Sequence, residues 1–184
     1  AVTGVQTCAL PICRRRCGTV TAKGTRAEGI RTDGDITIAA GGTVDTCSEQ
    51  DFGIIAKEAL TVSNSTLIAQ GSRGGIYAFE GLTIDAATVR AYAYDTHSED
   101  PVAIFTDEGD ITIKNGSFVH AYAEGENAIG IYSYNYDAGE PGGRIFISDS
   151  TVEAIAHYVN HDGGNQPLPP IINGGFVEVN PDVN

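Results

Sequence analysis

Every 22 to 33 residues this chain comes back to the same short phrase, and that return limits its fold more than any other feature. The phrase reads CGTVTAKG at 17–24, GGTVDTCS at 41–48, NSTLIAQG at 64–71, AATVRAYA at 86–93, GSFVHAYA at 116–123 and DSTVEAIA at 149–156. A weaker copy, GGFVEVNP, stands at 174–181, so Val20, Val44, Leu67, Val89, Val119, Val152 and Val177 fall in one column. Two more apolar segments precede each copy. The nearer reads DITIA at 35–39, ALTVS at 59–63, GLTID at 81–85, DITIK at 110–114 and RIFIS at 144–148. The farther reads GIRT at 29–32, GIIA at 53–56, GIYA at 75–78, AIFT at 103–106 and GIYS at 130–133.

In most of these segments apolar residues alternate with polar or small ones, the period of a strand with one buried face. Nothing alternates at helical spacing for two turns. Three short strands per unit, with Gly, Asn, Asp and Ser between them, describe one triangular turn of a solenoid. One such coil cannot bury its apolar face alone, whereas stacking sets like on like. The expected fold is all-β: a right-handed parallel β-helix of about six three-stranded coils with no significant helix. An antiparallel sandwich also uses many short strands, but a hairpin mirrors its pattern, and this sequence repeats it. The expected inward ladders are Ile30, Ile54, Ile76, Ile104, Ile131; Ile36, Leu60, Leu82, Ile111, Ile145; Ile38, Val62, Ile84, Ile113, Ile147; and the valine column. Ala22, Thr46, Ala69, Ala91, Ala121 and Ala154 follow that column and suit a narrow inner corner.

The beginning of the chain stands outside the repeat. Residues 2–12, VTGVQTCALPI, resemble the translation of a widely used sequencing adapter, and Arg14, Arg15 and Arg16 lie at the junction. We therefore expect 1–16 to be a non-native segment, 17–181 a single β-helix domain fragment and 182–184 a tail, the natural start being replaced. Of the four cysteines only Cys17 and Cys47 then remain, too few for a disulfide framework or a zinc site, and small buried hydrophobes are expected. Without the three junction arginines, eight basic residues face 24 acidic ones, a net charge of −16. That balance opposes unassisted binding to nucleic acid or anionic lipid, where cationic side chains supply the affinity. No run of about 18 apolar residues is present, so no membrane span is expected in the fragment.

The phrases GI-x-[TAS], [IL]-T-[IV] and T-V-x-A together resemble the β-helix repeats of bacterial extracellular and cell-surface proteins, including the calcium-associated carbohydrate-binding type. The resemblance covers about residues 17–180 and its motif is structural. It implies an extracellular or cell-surface setting and a glycan partner, and it carries over no functional residue.

The residues themselves give five features to weigh. Polygalacturonase-like hydrolysis needs clustered aspartates, and the strings N-T-D, D-D, G-H-G and R-I-K that carry them are absent. Arg90 and His120, outward neighbours on adjacent coils, are the one catalytic-looking pair, set against an exposed polar column. TDGD at 32–35 and TDEGD at 106–110 look alike but sit three coils, roughly 14 Å, apart, too far to share an ion. Asp107, Glu108 and Asp110 are the local candidates for calcium, set against solvated turn residues. Ile55, Tyr77, Phe105 and Tyr132 form an outward column on the first strand. It is either a surface for sugar rings to stack on or a ladder of rings stacked on one another. Tyr92, Tyr94, Tyr122, Tyr134, Tyr136 and Tyr158 are assigned to lengthened corner loops with His97, His157 and His161. Tyrosines in such loops suit recognition. Thr37, Thr61, Thr83 and Thr112 make a threonine column that reads as strand filling.

The expected function is a non-catalytic carbohydrate-binding or adhesive module, with calcium the one candidate cofactor, whose partner is a polysaccharide or a host or cell-surface glycan. A structural stalk is the alternative, and a lyase or hydrolase acting on acidic glycans is the second alternative.

Overall fold

A computed structural model describes residues 19–25, 27–94, 100–125, 127–134, 143–157 and 176–180. Among them lie seventeen strands and no helix, numbered β1 to β17 in chain order. One sheet holds the first strand of each coil: β2 (Ile30–Thr32), β5 (Phe52–Ala56), β8 (Gly74–Ala78), β11 (Val102–Thr106) and β14 (Ile129–Ser133). A second holds the middle strands: β3 (Ile36–Ile38), β6 (Ala59–Ser63), β9 (Gly81–Asp85), β12 (Ile111–Lys114), β15 (Arg144–Ser148) and β17 (Phe176–Asn180). The third holds β1 (Thr19–Gly24), β4 (Thr43–Ser48), β7 (Thr66–Gly71), β10 (Thr88–Tyr94), β13 (Phe118–Glu124) and β16 (Thr151–His157). Every pairing is parallel and joins a strand to its counterpart one coil away, which makes the chain a parallel β-helix of three-stranded coils.

The four inward ladders form in the expected register. Val44 pairs with Leu67 and Leu67 with Val89, and Ile54 pairs with Ile76 as Ile76 does with Ile104. Stacking explains the burial directly. Leu67, Ile76, Leu82, Ile104 and Ile113 sit in inner coils and are at most 1% exposed, whereas Val20, covered by a described rung on one side only, is 53% exposed.

Two expectations are corrected. Val177 does not extend the valine column. It pairs with Ile145, and Val179 with Ile147, so 176–180 forms the middle strand of a further coil. The segment carries V-x-V, like the I-x-I of RIFIS, where the third strands have a small residue, alanine or threonine, two positions after the column residue. Cys47 is not an interior residue either. It points outward from β4, half-buried between Lys23 and Gln70 on the neighbouring rungs. The expectation for residues 1–16 and the tail at 182–184 lies outside the described residues.

The corner between middle and third strands has one recurring device. Ala40, Asn64, Ala86, Asn115 and Asp149 all take left-handed backbone angles, φ between 46° and 66°. Backbone bonds then tie corner to corner, from Asn64 N–H to Asp85 O and from Ala86 N–H to Lys114 O. Asn and Asp tolerate this conformation because a short polar side chain bonds locally, while alanine is strained by about 1 kcal/mol. Ala86→Asn is therefore expected to stabilise the protein by about 1 kcal/mol, read as a higher denaturation midpoint with an unchanged slope.

Candidate functional site

Strand alternation places every second residue of β10, β13 and β16 on the outer surface, and those strands are adjacent. Four rows of three side chains result, Thr88–Phe118–Thr151 first, and the next three form the candidate face. Arg90 lies beside His120 and His120 beside Glu153; Tyr92 beside Tyr122 and Tyr122 beside Ile155; Tyr94 beside Glu124 and Glu124 beside His157. Rungs about 4.8 Å apart and alternate residues roughly 6.6 Å apart give a face of about 10 by 13 Å. Inward Ala91, Ala93, Ala121 and Ala123 are fully buried beneath it, so the face rests on a rigid support.

The grid is knit by directed contacts. Glu153 Oε2 lies 3.0 Å from His120 Nδ1, which fixes the imidazole and turns Nε2 away from Glu153. The Tyr122 hydroxyl donates to Glu124 Oε2 at 2.8 Å. The Tyr92 and Tyr94 rings stack 5.8 Å apart at 9°, and the Tyr94 ring tilts against Tyr122 at 5.7 Å. Tyr92 also meets the His120 ring at 5.6 Å. Tyr94 and Ile155 nevertheless remain 42% and 40% exposed, joined across the face by Tyr122, which meets the Tyr94 ring and stands beside Ile155.

Tyr92, Tyr94 and Tyr122 are thus strand residues, which corrects their expected place in corner loops. The string TVRAYAY keeps its two-residue alternation to the end, so the strand continues through it. Tyr136, Tyr158, His97 and His161 lie outside the described residues. Tyr134 is described at the end of β14, where its ring meets Tyr132 at 6.0 Å.

The first-strand column is built differently. Ile55, Tyr77, Phe105 and Tyr132 do occupy successive rungs. The Tyr77 and Phe105 rings stack at 5.3 Å and 11°, and Phe105 and Tyr132 at 5.4 Å and 15°. Both faces of Phe105 are taken by its neighbours, so this column offers a ligand ring edges, not faces. Tyr77 is further tied by its hydroxyl to Asp107 Oδ2 at 3.1 Å, and the Lys57 ammonium lies over its ring.

The carboxylates around Asp107 have separate tasks. Asp107 accepts from Tyr77, and Asp110 Oδ1 accepts the Arg144 N–H at 2.8 Å. Asp35 Oδ1 accepts the Ala59 N–H at 3.0 Å in the same way, which accounts for the likeness of TDGD and TDEGD: each aspartate caps the next middle strand. Asp107, Glu108 and Asp110 are not gathered into a calcium cage. Among the described residues, no three or more His, Cys, Asp or Glu side chains are placed to hold one metal ion.

Burial raises the Tyr122 phenol to about 12, with Glu124 adding to the rise, and burial together with Asp107 does the same for Tyr77. Their unfolded counterparts ionise near 10. Between those values the unfolded chain binds fewer protons, so stability is complete below about pH 10 and declines as pH climbs toward 12. Alkaline titration of phenolate absorbance is expected to show Tyr77 and Tyr122 among the last tyrosines to ionise. The variant Tyr77→Phe/Tyr122→Phe is expected to flatten the alkaline loss of stability.

Compared with protein families, with curated proteins and with solved structures, the chain finds no match in any of the three. No helix among the described residues is long and apolar enough to cross a membrane.

Proposed function

We propose that this chain is a non-catalytic carbohydrate-binding module of an extracellular or cell-surface protein, and that the β10–β13–β16 grid is its binding face. The observation that carries this reading is the exposed apolar surface of Tyr94 and Ile155 held near Glu124 and Glu153 on three adjacent parallel strands. Aromatic surface packs against the C–H face of a sugar ring, and neighbouring carboxylates accept from its hydroxyls. Tyrosine combines both properties at low entropic cost. The repeat's resemblance to bacterial carbohydrate-binding β-helices agrees with this role.

A glycan array of plant, mucin and microbial polysaccharides tests it. Binding is expected, and Tyr94→Ala and Tyr122→Ala are each expected to weaken it at least tenfold. Tyr77→Ala is expected to lower stability and leave binding in place. A blank array favours the second reading, a structural stalk, which the mutually stacked Tyr77, Phe105 and Tyr132 rings support because they stiffen the helix along its axis. Release of unsaturated uronate products from an acidic glycan would instead mark a lyase.

A further inference from the structure

We propose that the Arg90 end of the grid is a carboxylate subsite, so that the glycan taken by this face is an acidic one bearing uronate-type carboxyl groups; this rests on the carbohydrate-binding reading above. Arg90 is exposed in a chain where acidic residues far outnumber basic ones. Four other cations spend their charge inside the molecule: Lys23 on Glu49, Arg31 on Glu28, Arg73 on Asp51 and Lys114 on Asp85. Among the described residues no carboxylate stands within ion-pair distance of Arg90. Its outward neighbours on the adjoining rungs are Ile68 and His120, neither of them acidic.

The row is polarised. Glu153 lies beyond His120 and is engaged by its Nδ1, so the negative end faces away from β10 and the guanidinium stands at the positive end. A planar guanidinium meets a carboxylate through two parallel N–H donors, the strongest geometry open to an exposed charge. A sugar acid set with its carboxylate on Arg90 lays its ring toward Tyr92 and Tyr122 and its hydroxyls toward Glu124 and Glu153. Reversed, the carboxylate would meet those glutamates and be repelled. One guanidinium also separates this ligand from nucleic acid, whose affinity comes from many phosphate contacts.

The test is calorimetric titration of the full chain with matched pairs: polygalacturonate, alginate and hyaluronan oligosaccharides, each alongside its carboxyl-reduced form. At least one acidic member is expected to bind about tenfold tighter than its reduced partner, the worth of one charge-assisted bidentate contact. Arg90→Gln is expected to erase that preference while retaining binding of the reduced form. Tyr94→Ala is expected to weaken both forms alike. Equal affinity within every pair, or a preference that survives Arg90→Gln, overturns the subsite and leaves carbohydrate binding standing. Absence of binding to every pair overturns the subsite, and with a blank neutral array it overturns the carbohydrate reading too.

Discussion

Leu67→Ala is expected to lower the free energy of unfolding by about 3 kcal/mol, read from denaturant titration followed by far-ultraviolet dichroism. Leu67 is fully buried and stands between Val44 on one rung and Val89 on the other. The loss combines the transfer free energy of the deleted carbons with the cavity they leave. The cavity cannot close easily, because its walls are strand ladders whose spacing is fixed by backbone hydrogen bonds. Val20→Ala in the same column is the matched control. Its side chain is 53% exposed, and a cost of no more than about 0.5 kcal/mol is expected. Equal effects at the two sites would mean that burial does not come from stacking.

Gly75→Ala is expected to cost about 3 kcal/mol through overpacking. A methyl there would meet Ala69 O at 2.7 Å, Tyr92 N at 2.8 Å and Ala103 O at 2.9 Å, all of them backbone atoms of neighbouring strands. No side chain can rotate away, so the coil itself must shift. Because Tyr92 belongs to the grid, this variant is expected to weaken glycan binding as well as stability. Gly34→Ala is the control, since its methyl would lie 3.8 Å from the flexible end of Glu58, and a change within about 0.5 kcal/mol is expected.

The scaffold was legible in the sequence because a solenoid writes its core as identical residues at a fixed stride. The valine, isoleucine and alanine columns could be paired by alignment alone, and the structure pairs them so. Val177 was misplaced because its distance from Val152 is also one coil length. What decides the strand is the residue two further on, valine where the third strands have alanine or threonine, and the register sets it beside Ile147 of a middle strand.

The candidate site was only half legible. Arg90 and His120 stood out as outward neighbours, but Glu153 did not, although TVRA, FVHA and TVEA put it in the same column. Tyr92, Tyr94 and Tyr122 resemble loop residues because aromatic and polar residues follow the V-x-A core, yet the two-residue alternation continues through them. Whether a ring column offers faces or edges depends on side-chain rotation, which alternation does not encode. Phe105, sandwiched between Tyr77 and Tyr132, shows the difference.

The most direct test of the stacking register removes one whole circuit. Leu67 and Val89 are 22 residues apart, so excising 67–88 joins Thr66 to Val89 and brings like onto like again. The shortened chain is expected to fold cooperatively, to keep its β dichroism and to lose only part of its stability. Excising 67–77 breaks the register and is expected to leave the chain unfolded. If the two deletions behave alike, both folded or both unfolded, the chain is not held together by equivalent residues stacked once per coil.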